Sequence, residues 1–216
     1  MSDPTHSRSP LCRVVKVGGS LLSLPHVESV VTNWWLRQPP KPTLLVIGGG
    51  PLADAVRELD RQTSLDDTTA HWMAIRAMQV NSFVFRHVLS TADWVTNVCH
   101  WLETPATNAG RPIGVVAIEE YLRSHEPHHA GTPLPIGWHV TSDSIAARLA
   151  EAIGAAELVL LKSTLPPAGP NPLPMSQAVA RELVDGHFPV SAAALPLIRI
   201  VNLRAADFAE VQLMPA

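Results

Sequence analysis

The sequence has little cysteine, few aromatic residues and a low density of charge. Only two of its 216 residues are cysteines, Cys12 and Cys99. Two are too few for a disulfide scaffold or, by themselves, a zinc site. Both have apolar or aromatic neighbours and read as buried free thiols. Aromatic residues make up 5% and charged residues 16%, against 46% hydrophobic. A disordered chain would show the reverse balance and is excluded. The formal net charge of −3 supplies no basic field, so neither nucleic acid nor an anionic membrane is expected as partner. No apolar run reaches the roughly 18 residues of a membrane span. The N-terminal MSDPTHSRSP lacks the apolar stretch of a secretory signal. These absences point to a cytoplasmic protein that handles a small molecule.

What remains is enough for one domain. Residues 1–12 read as a disordered leader and residues 13–216 as the domain. Prolines number 20, about twice the usual share of ~5%, and most fall between the expected elements. Apolar β-branched runs predict strands at 13–17, 43–47, 93–98, 113–117, 157–162 and 197–201. Helical spacing predicts helices at 25–37, 52–61, 67–89, 144–153 and 175–184, a helical turn at 119–124, and a short helical tail after Ala205. Asp66 or Asp67 is a suitable cap for the long helix. Strands alternating with helices predict an α/β fold, a three-layer αβα sandwich around a mainly parallel sheet. Ligands of such sheets sit at the carboxyl ends of the strands.

Two of those strand ends carry glycine clusters: Lys16-Val-Gly-Gly-Ser20, and Gly48-Gly49-Gly50. Glycine lets backbone N–H groups approach an anion, and a following helix adds positive potential at its N-terminus. The spacing is neither that of a P-loop nor of a dinucleotide fingerprint. Lys16 is one of three lysines and lies inside an apolar strand, where an ammonium without an anion is costly. Asp143, with Thr141 and Ser142, stands where loop meets helix and is also a natural cap. Lys162 closes a strand and could reach a phosphate or solvent.

Four segments in order, KVGGS, IGGGPLADAVR, VTSDSIAARLA and ELVLLK, resemble the amino acid kinase superfamily, which includes acetylglutamate, aspartate, carbamate, isopentenyl phosphate and uridylate kinases. The resemblance spans most of residues 13–203. It implies a carbamate kinase-like fold and an ATP-dependent kinase with Mg²⁺, which would bridge ATP oxygens with few protein ligands. The stretches DTTAHWMAIRAM (67–78) and GWHVTSDSIA (137–146) are most similar to the small kinases of methanofuran biosynthesis, which phosphorylate [5-(aminomethyl)furan-3-yl]methyl phosphate. By resemblance, Lys16 would neutralise the transferred phosphoryl group, with Lys162 as a second charge. Asp143 would orient the lysines. The amides of Gly18, Gly19, Gly48 and Gly49, together with Gly50, Ser20, Thr141, Ser142 and Ser163, would hold phosphates and nucleotide. An acceptor phosphate would draw on Arg57, with Arg61 and Arg76 as further candidates. Its amine would draw on Asp54, Asp66 or Asp67, with His71 and Trp72 lining the pocket.

The sequence departs from the superfamily pattern after Lys162. Lys-Ser-Thr-Leu-Pro-Pro stands where many members have Asp-Gly, and no later lysine exists. Either Lys162 supplies the second charge or transfer is weakened. Other small-molecule kinases of the superfamily, and a catalytically silent nucleotide or oxyanion binder, therefore remain alternatives. The histidines of HEPHH (125–129) fit no helical metal motif and read as an exposed, mobile lid, so no metal ligands are assigned. The apolar residues of the 67–89 helix occupy more than one face, which predicts a homodimer or higher homo-oligomer.

Overall fold

The computed structural model describes residues 12–104, 112–165 and 170–214. Nearly all of the expected leader lies outside them, but Cys12 is described and is buried. Chain order gives β1 (Arg13–Val17), α1 (Val27–Leu36), β2 (Thr43–Ile47), α2 (Gly50–Thr63), α3 (Asp67–Val88), β3 (Asp93–Val95), α4 (Val98–Glu103), β4 (Ile113–Val116) and α5 (Ile118–Glu120). After these come α6 (Ser142–Ala152), β5 (Glu157–Lys162), β6 (Leu173–Pro174), α7 (Met175–Ala180), α8 (Phe188–Ser191), β7 (Ile198–Asn202) and β8 (Glu210–Met214).

The strands form one sheet in the order β3-β4-β2-β1-β5-β7-β8-β6. Every neighbouring pair is parallel except β7 with β8. Apolar side chains alternate to two faces, as the pleat requires. Val14, Val46 and Leu160 pack with Ile145 and Leu149 of α6 and with Phe188. Val15, Val17, Leu45 and Leu161 pack with Val31 and Trp34 of α1 on the other side. The result is the three-layer αβα sandwich. Its strands β1, β2, β4 and most of β5 are buried on both faces, which explains their unbroken apolar runs.

At the amino end of the sheet, Glu157 gathers Arg13 (2.8 Å), Arg199 (2.9 Å) and Lys41 (3.2 Å). Burial alone would raise its carboxyl, but Arg13 and Arg199 hold it below the ordinary value. This clamp ties together the starts of the strands whose far ends form the site.

Several expectations need correction. The segment after Ala205 ends in a strand, not a helix: Val211 and Leu213 are buried while Glu210, Gln212 and Met214 are exposed, a period of two. The strand expected over 93–98 stops at Val95, because the Asn97 side chain accepts from His100 N–H and starts α4. Cys99 consequently sits exposed on that helix. The helix expected over 175–184 stops at Ala180. The 125–137 loop is no free lid at its base. Arg148, with no exposed surface, donates to Glu126 and to the carbonyls of His129 and Ala130, and holds that segment against α6.

Candidate functional site

Lys16 lies on a central strand, paired in register with Val46 of β2 and Leu160 of β5. It therefore cannot reach water from an edge, and its residue is 5% exposed. Its ammonium lies 2.8 Å from Asp143 Oδ1 as an ion pair, and Lys162 Nζ donates to Asp143 Oδ2 at 2.6 Å. Asp143 is 4% exposed in the first turn of α6. Burial alone would raise its carboxyl, but the two ammoniums hold it below the ordinary carboxylate value. Burial, and then the charge of Lys16, lower Lys162 from 10.5 to about 8, against the attraction of Asp143. Two ammoniums sharing one carboxylate leave one net positive charge at the carboxyl end of β1 and β5.

The two glycine bends meet beside this charge. Gly18 N–H donates to Leu161 O and Gly48 N–H to Val17 O, so each bend is hung from a neighbouring strand. A Cβ on Gly19 would collide with the Gly50 nitrogen, and one on Gly48 would lie 2.8 Å from the Gly19 nitrogen. Gly50 also has φ +50°, which L side chains rarely adopt. Asn81, on α3, donates to the carbonyls of both Gly48 and Gly49. Gly49 precedes α2 without a side-chain cap and Pro51 brings no N–H, so what the start of this 14-residue helix offers a ligand is mainly the positive end of its dipole. At the mouth, the hydroxyls of Ser20 and Ser163 are 3.1 Å apart.

A cavity of about 330 Å³ opens beside the bends. Its lining includes Gly19, Ser20, Gly49, Gly50, Asp54, Arg57, His71, Thr141 and Ser142. Arg57 donates to Asp54 at 2.6 Å and its guanidinium lies 5.0 Å from the centre of the Trp138 ring. Trp138 is fixed by donating its indole N–H to Asp60. His71 Nδ1 accepts from Gly137 N–H at 3.3 Å, and burial lowers its pKa below the ordinary histidine value, which favours the neutral ring. Asp67 does not join this group. It is exposed at the start of α3, where Asp66 has taken the cap by accepting from Thr69 N–H. Arg61 and Arg76 pair elsewhere, with Glu58 and Glu119.

Asp185 was not singled out from the sequence. Its carboxylate accepts from the backbone N–H and hydroxyl of both Thr141 and Ser144, and from the N–H groups of His187 and Phe188. It thereby anchors the turn that presents Asp143. Asn81 and Trp138 were missed as well. The local signal for Asp185 was an Asp-Gly pair ahead of an apolar run, which reads as a turn.

A mainly parallel α/β sheet thus carries two lysines on one aspartate, beside interlocked glycine bends, at the carboxyl ends of its strands, which is where ligands of such sheets sit. The chain belongs to the amino acid kinase family, whose sequence model matches residues 12–164. No curated protein matches the sequence. Among solved structures, UMP kinase from Ureaplasma parvum is similar at TM-score 0.58 and 16% identity, covering 91% of each chain. Uridylate kinase from Archaeoglobus fulgidus reaches TM-score 0.55 at 17% identity, over 94% of this chain and 91% of that one. Aspartate kinase from Synechocystis reaches 0.60 at 14% identity, over 95% of this chain and 40% of the other. At these identities the likeness defines the fold.

Proposed function

We propose that this protein is an ATP-dependent kinase that transfers a phosphoryl group to a phosphate or carboxylate oxygen of a small molecule. The observation that carries the proposal is the Lys16–Asp143–Lys162 bridge beside the interlocked glycine bends. Phosphoryl transfer needs positioning and charge stabilisation more than covalent help. Here the acceptor oxygen bonds to the γ-phosphorus as the bond to the ADP oxygen breaks. Lys16 and Lys162 face the charge that spreads over the transferred group, and Asp143 keeps both ammoniums in place. An ionised acceptor needs no base, so Asp143 has no proton to accept. The short separation of Lys162 from Asp143 supports Lys162 as the second cation, in the absence of any later lysine.

Among the described residues, no group of three or more His, Cys, Asp or Glu side chains converges, and both oxygens of Asp143 face lysines. This donor set suits Mg²⁺ carried mainly on the nucleotide's own oxygens.

The acceptor sits in the cavity, its anionic end toward Arg57 and the N-terminus of α2. The stretches 67–78 and 137–146, which carry the resemblance to the methanofuran-pathway kinases, both contribute lining residues, among them His71, Met78, Gly137 and Trp138. The specific acceptor we propose is therefore [5-(aminomethyl)furan-3-yl]methyl phosphate. The enzyme works in the cytoplasm as a homodimer through α3, whose Val80, Phe83, Val84 and Val88 form an exposed apolar stripe. No helix among the described residues is long and apolar enough to cross a membrane.

Purified protein given ATP, Mg²⁺ and candidate acceptors should release ADP in an acceptor-dependent manner. Lys16→Ala should lower turnover by about 10²–10³, the usual cost of removing a transition-state charge partner. ATP binding without ADP release for any acceptor would identify a silent binder instead.

A further inference from the structure

Asn81 stands on α3, half-buried, and reaches across to the second glycine bend. Its side-chain nitrogen lies 2.9 Å from Gly48 O and 2.7 Å from Gly49 O. A carbonyl oxygen only accepts, so both contacts need the NH₂ end of the side chain, one proton for each carbonyl. Asn81 thus grips two successive peptide groups at once.

A trans peptide is planar, with its N–H pointing opposite to its C=O. Turning the carbonyls of Gly48 and Gly49 toward α3 therefore turns the N–H groups of Gly49 and Gly50 away from it. Of the three amides in this bend, that of Gly48 is already bonded to Val17 O, on the residue after Lys16. Those of Gly49 and Gly50 have no acceptor among the described residues, and both glycines line the 330 Å³ cavity. Gly49 O also receives Ala53 N–H within α2. Gly48 O has no other donor among the described residues, so the peptide carrying the Gly49 amide depends most on Asn81.

We propose that Asn81 is a positioning residue that aims the Gly49 and Gly50 amides at the phosphoryl oxygens. Asn81 itself does not line the cavity. Glycine leaves peptide planes free to rotate, so a bend of three glycines needs an outside hold to keep its donors aimed. Donors fixed before charge develops cost no reorganisation when it does. Only the effect of Asn81 on turnover rests on the kinase reading, whereas its hold on the amides does not.

The test is read by NMR on the whole protein. Of the 12 glycines, only Gly19, Gly49 and Gly50 follow another glycine. Labelling glycine with carbon-13 in the carbonyl and nitrogen-15 in the amide therefore isolates these signals in a carbonyl-filtered spectrum. Mg²⁺ with the non-hydrolysable imido analogue of ATP should shift the Gly49 and Gly50 signals. In Asn81→Leu, similar in size but without a donor, those shifts should largely vanish, that of Gly49 most. The Gly19 signal, from the bend hung on β5, should respond as in wild type. Turnover should fall by about tenfold to a hundredfold, since the donors are misaimed and not removed. Asn81→Asp gives a second reading, and takes over the first should Asn81→Leu lose its native circular dichroism. Its carboxylate repels both carbonyls, but the protonated acid donates to one. Its turnover relative to wild type should therefore rise as pH falls, while that of Asn81→Leu stays flat. Shifts that survive in the variants, no response in wild type, or a flat pH ratio for Asn81→Asp would overturn the proposal. A wild-type response that the variants abolish, without ADP release for any acceptor, supports the role of Asn81 and refutes the kinase. ADP release with the shifts unchanged in the variants does the reverse.

Discussion

Lys16 and Lys162 stand at the carboxyl ends of adjacent parallel strands and share the Asp143 carboxylate, one on each oxygen. The arrangement holds two like charges close together in a buried place, which a single carboxylate can balance only in part. Removing that carboxylate separates its structural part from its functional one. Asp143→Asn should lower stability by about 3–5 kcal/mol, the cost of leaving a buried charge without its partner. It should also lower turnover at saturating ATP. Urea denaturation read beside turnover checks both, and an unchanged midpoint would show that the ammoniums do not depend on Asp143.

Lys162 predicts a particular pH dependence. Its value in the folded protein, about 8, lies below the 10.5 of the unfolded chain. Between those values the unfolded state holds the proton and the folded state does not, so this group's contribution to stability rises with pH across that window and is least favourable below pH 8. Binding runs the other way. A polyphosphate beside Lys162 favours the charged form, so ATP binding at pH 8 should take up protons. Titrations in buffers of different ionisation enthalpy measure this directly, and zero net uptake would place the phosphates away from Lys162.

Asp185 does not line the cavity, yet it fixes the turn that carries Asp143. Asp185→Ala releases six hydrogen bonds and should lower stability by about 1–3 kcal/mol. Turnover should fall further than the folded fraction does, with the KM for acceptor little changed. A loss of activity that only tracks unfolding would make Asp185 a purely structural cap.

The α3 stripe predicts assembly. Phe83 is 56% exposed and stacks on Trp94 with centroids 4.5 Å apart. Phe83→Glu should shift a dimer to monomer in sedimentation velocity while leaving helix content intact. A wild-type protein that sediments as a monomer at micromolar concentration would remove the proposal.

The sequence made the central strands and glycine bends legible because both are local signals. An apolar β-branched run and a glycine cluster need no knowledge of the rest of the chain. Lys16 stood out for the same reason, as a charge inside such a run. What stayed hidden were pairings across long separations. Asp185 meets Thr141 44 positions away, and Arg148 meets Glu126 22 positions away, with no local pattern announcing either. The second of these made an expected mobile lid into an anchored loop. The tail strand β8 did carry its alternation, in Val211 and Leu213, but five residues gave too short a window to outweigh a helical reading.

Because the Gly19 and Gly50 backbones fill the volume that either side chain would occupy, the two loops form a matched set. A chimera that borrows residues 16–20 from a relative without also borrowing 48–50 would bring together two turns shaped for different partners. Domain grafting or directed evolution of this scaffold must therefore move both segments in a single step.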